Sequence, residues 1–228
     1  MPRLLRQIAP LLFGFAILFS TVRGWSAPAV QAARAGDVLT VSNESISASW
    51  SVRGGELRWQ SLANHFTGVT LPLDGSPFEL VPKEGPVLRS SDFKIVGEPA
   101  IENIPDAPAS SKAADHVPGR QIRVELEDSS AKVHVTWRAI LREGANYLRQ
   151  EVTIRAAQQP LALAQIGLID AVVPAAIVSG QVKGSPVTAG TWFLGFEHPL
   201  SECRVRAERA TCWLSRELPL RAGQSVTY

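Results

Sequence analysis

The first 35 residues contain no aspartate or glutamate, and nowhere in the 228-residue chain is there an apolar run of the ~20 residues that a membrane-spanning helix needs. The two absences belong together. Arg3 and Arg6 precede the short apolar run Leu11-Leu12-Phe13-Gly14-Phe15-Ala16-Ile17-Leu18-Phe19, and small residues follow it, which is the pattern of a secretory signal peptide. Cleavage is expected after Val30-Gln31-Ala32 or after Ala33-Arg34-Ala35, where compact residues occupy the positions a signal peptidase reads. The sequence therefore divides into a leader, 1–35, and an exported domain, 36–228. The expected destination is secreted or periplasmic, with no membrane attachment once the leader is removed; an uncleaved membrane anchor is the other reading of the same segment.

The exported part also lacks a basic excess. Of 23 Lys and Arg, Arg3, Arg6, Arg23 and Arg34 leave with the leader, so 19 cations face 21 Asp and Glu and the balance is −2. No Lys/Arg block follows the leader, which argues against nucleic acid as a partner. Cysteine is scarce as well: only Cys203 and Cys212 occur, on either side of a segment that reads as two short strands and a turn. An even count in an oxidising compartment predicts one disulfide, and so small a loop limits its contribution to about 3 kcal/mol or less. Two unpaired buried thiols are the other reading. No histidine stands close enough to complete a zinc ligand set, so no metal is expected.

Amphipathic helical periodicity is missing too. The dominant period is two from Val38 onward: in Ser45-Ile46-Ser47-Ala48-Ser49-Trp50-Ser51-Val52 every odd position is Ser and every even one apolar. Arg53-Gly54-Gly55-Glu56 then turns the chain, and Leu57 and Trp59 resume the alternation as a hairpin. Ile122, Val124 and Leu126, then Val133 to Leu141, then Leu148, Val152 and Ile154 predict three long strands in a meander, with Arg149 and Glu151 facing outward. The apolar stretch from Leu161 to Val173, bounded by Pro160 and Pro174 and rich in β-branched residues, predicts a strand buried on both faces. Short strands are expected at 78–81, 92–97, 177–183, 190–196, 203–207, 211–215 and 224–228. The fold class is all-β, with stacked antiparallel sheets. Residues 98–119, with four prolines and a run of Ala and Ser, read as a long surface excursion.

Catalytic signatures are sparse. His65, His116, His134 and His198 are scattered, and there is no nucleophile elbow, zinc signature or phosphate loop, so no cofactor is expected. Asn43-Glu44-Ser45 matches a glycosylation sequon. The densest functional stretch is Gly190-Thr191-Trp192-Phe193-Leu194-Gly195-Phe196-Glu197-His198-Pro199-Leu200, which sets aromatics beside an acid and an imidazole. A sugar presents an apolar face and a rim of hydroxyls, so Trp192, Glu197 and His198 are the candidate carbohydrate-binding or domain-facing residues. The competing reading makes Trp192 or Phe193 core and leaves Glu197 and His198 to satisfy a turn; Phe196 is expected in the core.

Several of these segments together resemble a known family. Ser45 to Trp50, Gly55-Glu56-Leu57-Arg58-Trp59, Phe78-Glu79-Leu80-Val81, Val135-Thr136-Trp137-Arg138, Asn146 to Glu151 and Trp192 to Pro199 are similar to the N-terminal β-supersandwich of large secreted bacterial glycoside hydrolases. Those are α-galactosidase-like enzymes whose sandwich has the galactose-mutarotase-like fold. The resemblance implies an antiparallel supersandwich incomplete at its C-terminus, carbohydrate as ligand, and a missing C-terminal (β/α)8 catalytic domain as partner. It carries over no catalytic residue, since the barrel that would hold the carboxylates is absent from the sequence. The implied role is a non-catalytic carbohydrate-binding or barrel-supporting module, so the chain alone is not expected to be an enzyme. The alternative is a stand-alone aldose 1-epimerase of the mutarotase type, with Glu197 and His198 as its acid-base pair.

Overall fold

The structure is a computed structural model that describes residues 29–130 and 132–228. The apolar run of the leader falls outside the described residues. Strands β1 (Gln31–Ala35), β2 (Val38–Ser42), β3 (Ile46–Ser51), β4 (Arg58–Asn64) and β5 (Val69–Pro72) form a first sheet in that order. Strands β6 (Asp74–Ser76), β7 (Glu79–Pro82) and β8 (Leu88–Arg89) begin a second sheet. Strands β9 (Phe93–Ile95), β10 (Ala100–Ile104), β11 (Gly119–Asp128), β12 (Val133–Arg142) and β13 (Arg149–Ala156) build a third. The chain then returns to the second sheet with β14 (Leu163–Val172), and makes a small sheet from β15 (Ile177–Val178), β16 (Val187–Ala189) and β17 (Trp192–Leu194). It re-enters the second sheet with β18 (Glu202–Arg206) and β19 (Arg209–Ser215) and closes the third with β20 (Ser225–Thr227).

Each pairing of named strands among the described residues is antiparallel, so the all-β class holds. Period-two burial explains why these residues form strands. In β3, Ile46, Ala48 and Trp50 are buried while Ser47, Ser49 and Ser51 are half-exposed, and β12 alternates in the same way through all ten residues. The buried faces of the first and third sheets meet through Trp50, which contacts Trp59 and, edge-on, Trp137 at centroid distances of 5.0 Å each. Phe78 and Phe93 make a second edge-to-face pair at 5.4 Å, joining the second sheet to the third. Aromatic pairs of this geometry add about 0.5–1.5 kcal/mol beyond their buried area.

Several elements differ from the sequence-based expectations. Residues 31–35, assigned to the leader, form β1 in full five-residue register with β2, and Val30 is only 3% exposed in the core. Within the 98–119 excursion, Ala100–Ile104 is an edge strand on β11. It is held there by its side chains: Glu102 accepts from Gln121 at 2.6 Å and from Arg123 at 3.0 Å across the ladder. Pro99 and Pro105 bracket the strand instead of interrupting it. The strand expected over 177–183 spans only Ile177–Val178, and β16 takes up its partnership. The sequon is spent on structure. Asn43 is 7% exposed; its amide donates to the Ala145 and Arg142 carbonyls, and its Oδ1 accepts from the backbone N–H groups of Ser45 and Ile46.

Cys203 and Cys212 face each other in the β18–β19 ladder, with Cα atoms 4.2 Å apart, and are joined as a disulfide. The strands are already paired, so the bond clamps a hairpin that the ladder has closed. Among the described residues no helix is long and apolar enough to cross a membrane.

Candidate functional site

The strand order leaves a cleft of about 850 Å³ where all four sheets come together. The first sheet contributes Trp59, Leu62 and Asn64; β13 contributes Arg149, Gln150 and Glu151; β14 contributes Leu168 and Ile169. The segment from Thr191 to His198 and the last two residues, Thr227 and Tyr228, complete the lining. Trp59 and Trp192 are 9% and 8% exposed and make its inner surface, while Phe66, Phe193 and Tyr147 are exposed and form an aromatic rim.

Trp192, Glu197 and His198 are therefore brought to one cleft, but they do different things. Trp192 is buried, and its indole N–H has no protein acceptor among the described residues. Glu197 reaches across the cleft to Arg149, whose Nε and Nη2 donate to its two oxygens at 3.3 and 2.8 Å. His198 turns back on its own loop, where Nδ1 accepts from the Leu200 backbone N–H at 3.2 Å, leaving the proton on Nε2. The two side chains diverge because the chain turns tightly here, the His198 backbone N–H donating to Phe196 O at 2.7 Å and the Ser201 N–H to His198 O at 3.0 Å. Phe196 is half-buried and meets Tyr228 edge-to-face at 6.3 Å.

Gln150 fixes the cleft's inner frame. Its Nε2 donates to Pro77 O at 2.6 Å and Leu168 O at 2.7 Å, so both amide hydrogens are committed and its Oε1 is oriented purely as an acceptor. That oxygen is buried without a partner among the described residues. An unmatched buried donor or acceptor costs about 1–3 kcal/mol, so Trp192 and Gln150 hold polar capacity that the cleft has not spent.

A second ionic centre lies on the second sheet, where Asp170, a lone acid in the apolar β14, is buried to 2% side-chain exposure. Arg209 binds it through both oxygens at 2.6 and 2.7 Å, and Arg89 adds a contact at 3.4 Å. Glu79 on the neighbouring strand stands 4.0 Å from Arg89. Burial, seconded by the negative charge of Asp170, pushes the Glu79 carboxyl above its usual range. The β14 ladder is irregular at this point, with a register shift between Gly167 and Ile169. A side chain at 167 would collide with Glu79, since a Cβ there would stand 2.7 Å from its Cγ.

The remaining histidines serve local structure. His65 contacts Ser47 Oγ at 3.2 Å, His116 the Ser110 carbonyl at 2.8 Å, and His134 stands 4.0 Å from Glu127. Among the described residues no three His, Cys, Asp or Glu side chains converge as metal ligands. Sequence reasoning had named neither Arg149 as a site residue nor Gln150, Tyr147 and Phe66 as cleft residues. For Tyr147, Arg149 and Gln150 the signal is their adjacency in sequence, which becomes a site only where the loop after β17 brings Glu197 to Arg149.

Fold and cleft define an all-β chain of stacked antiparallel sheets around an aromatic-rimmed groove with an ion pair across it. Comparison with family models, curated proteins and solved structures finds no match.

Proposed function

We propose that this chain is a non-catalytic, carbohydrate-associated β-sandwich module of an exported glycoside hydrolase, which binds sugar or supports a (β/α)8 barrel. The observation that carries the reading is the cleft itself. Exposed Phe66, Phe193 and Tyr147 surround a groove whose lining also offers the Arg149–Glu197 pair, and apolar rings beside charged hydrogen-bonding groups suit a sugar's two kinds of surface. A non-catalytic role fits the engagement of both acid-base candidates, Glu197 by Arg149 and His198 by its own loop. The Cys203–Cys212 disulfide and the leader-like N-terminal sequence support a secreted or periplasmic location.

The test is titration of the purified chain with galacto- and gluco-oligosaccharides, followed by tryptophan fluorescence. Saturable quenching that Trp192→Ala abolishes is expected, and no spectral response to any sugar counts against the reading. Glu197 and His198 do line one cleft, which is the observation favouring the aldose 1-epimerase alternative. Polarimetry of freshly dissolved α-galactose separates the two. A mutarotation rate above the buffer blank, lost in Glu197→Gln, would replace the binding module by the enzyme.

A further inference from the structure

We propose that the cleft takes an acidic saccharide, a uronate whose carboxylate displaces Glu197 from Arg149. The proposal rests on the carbohydrate reading and names its substrate class. Arg149 projects from the paired strand β13 with its side chain only 20% exposed, whereas Glu197, 66% exposed, sits on the loop after β17 and has no other hydrogen bond among the described residues. The pair is therefore asymmetric. The cation is held by the sheet, and its acid is a solvated arm that can swing away. An ion pair with one partner this exposed is weak, so displacing Glu197 costs little.

The rest of the cleft favours an incoming anion. Lys112, exposed, lines it as well, and Asp115, whose carboxyl is held below its usual range first by the Ser110 hydroxyl at 2.9 Å, is bound by Arg142 at 3.2 Å. The other lining acid, Glu151, faces Arg138 at 3.7 Å. With Glu197 released to solvent, Arg149 and Lys112 are the cations of the cleft, and Glu151, which also acts on Arg149, is shared with Arg138. A planar carboxylate reproduces the two-nitrogen contact that Glu197 now makes, and the sugar ring behind it meets the Tyr147 and Phe193 rim. No covalent step is involved, only the exchange of one carboxylate for another.

The experiment is calorimetric titration of the full chain with digalacturonate, with galactobiose as the neutral comparison and with inorganic phosphate. Digalacturonate is expected to bind roughly tenfold more tightly than galactobiose, the worth of one charge-assisted hydrogen bond, and the gap should narrow as salt rises. Glu197→Gln removes the internal competitor and is expected to strengthen digalacturonate binding about threefold and so to widen its preference over galactobiose. Arg149→Gln, and independently the surface change Lys112→Gln, should shrink the preference. Equal affinity for acid and neutral sugar, or a preference that survives in both cation variants, overturns the acidic-ligand inference alone. Phosphate binding as tightly as digalacturonate overturns it too, by making the site a simple anion contact. Binding of neither saccharide overturns the carbohydrate reading beneath it.

Discussion

Arg209 on β19 grips Asp170 on β14 through two parallel contacts of 2.6 and 2.7 Å, and Asp170 is the only acid in a strand otherwise made of apolar residues, Gly and Gln. A buried carboxylate survives there because two guanidinium groups neutralise it. Asp170→Asn keeps the shape but removes the charge, leaving Arg209 and Arg89 without their acid. The two arginines are 44% and 46% exposed and can recover water, so the loss is less than for a fully buried pair. A fall of about 2 kcal/mol in unfolding free energy is expected from urea denaturation.

Glu79 contributes in the opposite sense. Its folded-state pKa lies above the ordinary value of 4.5, through burial first and Asp170 second, so the folded protein holds that proton more tightly than the unfolded chain. Stability from this group is therefore present below the ordinary carboxylate range and is lost as pH rises through the folded pKa. Glu79→Gln should be more stable than the wild type at pH 7, and that advantage should shrink as pH falls through the raised folded-state pKa and be gone below about 4.5. Thermal melts of the two proteins across pH 3 to 8 check the sign; a variant less stable than the wild type at neutral pH rules the account out.

The alternation of Ile46, Ala48 and Trp50 with serines, and of Val133 to Leu141 with polar residues, made the long strands readable, because a strand's two faces are written in consecutive residues. The Asp170 cluster was not readable in the same way. Its members come from Glu79, Arg89, Asp170 and Arg209, and only the β7–β14–β19 order unites them. The stretch from Leu161 to Val173 read simply as apolar, although an aspartate buried within it needs a compensating partner. The cleft divides likewise: Trp192, Glu197 and His198 are close in sequence and were visible, but Arg149 read as an outward-facing strand residue. Strand β10 was hidden by its prolines, which sit at its ends, and by its dependence on the Glu102–Arg123 contact.

Asn43 ties the start of β3 to the turn after β12. Its four hydrogen bonds, at 2.7 to 3.3 Å, satisfy two carbonyls and two backbone N–H groups in a site that is 7% exposed. Asn43→Ala leaves those groups unmatched and is expected to cost about 2–4 kcal/mol, measured by denaturant unfolding. In a glycosylating host the intact mass is expected to show no glycan at this sequon, since its amide nitrogen is occupied.

The turn between β18 and β19 carries a correctable strain. Ala207 and Glu208 both have positive φ, 46° and 62°, as a tight two-residue hairpin turn demands, yet neither is a residue that favours that region. The Glu208 side chain accepts from the Ala175 backbone N–H at 3.5 Å, a contact that a glycine there would drop, which leaves Ala207 the better position to change. Ala207→Gly is expected to stabilise the protein by about 0.5–1 kcal/mol, read as a rise in melting temperature.

Strand β1 sets where the folded unit must begin. Gln31 to Ala35 pair with Ser42 to Val38 along their whole length, and Val30 is buried ahead of them. A chain starting at Asp37 loses the strand and uncovers the edge of β2, whose Leu39 and Val41 are fully buried. Burying one valine is worth about 1.5–3 kcal/mol, so this shorter chain should unfold at least 2 kcal/mol more easily than one starting at Val30, by roughly that amount for Val30 alone. On the proposal that the chain is exported, its processing is expected to spare residues 30–35. Ala27-Pro28-Ala29 supplies small residues at both positions a signal peptidase reads, immediately before Val30. N-terminal sequencing of the exported protein is expected to begin at Val30; a start at Ala33 or Gly36, with stability undiminished, would show that β1 is dispensable.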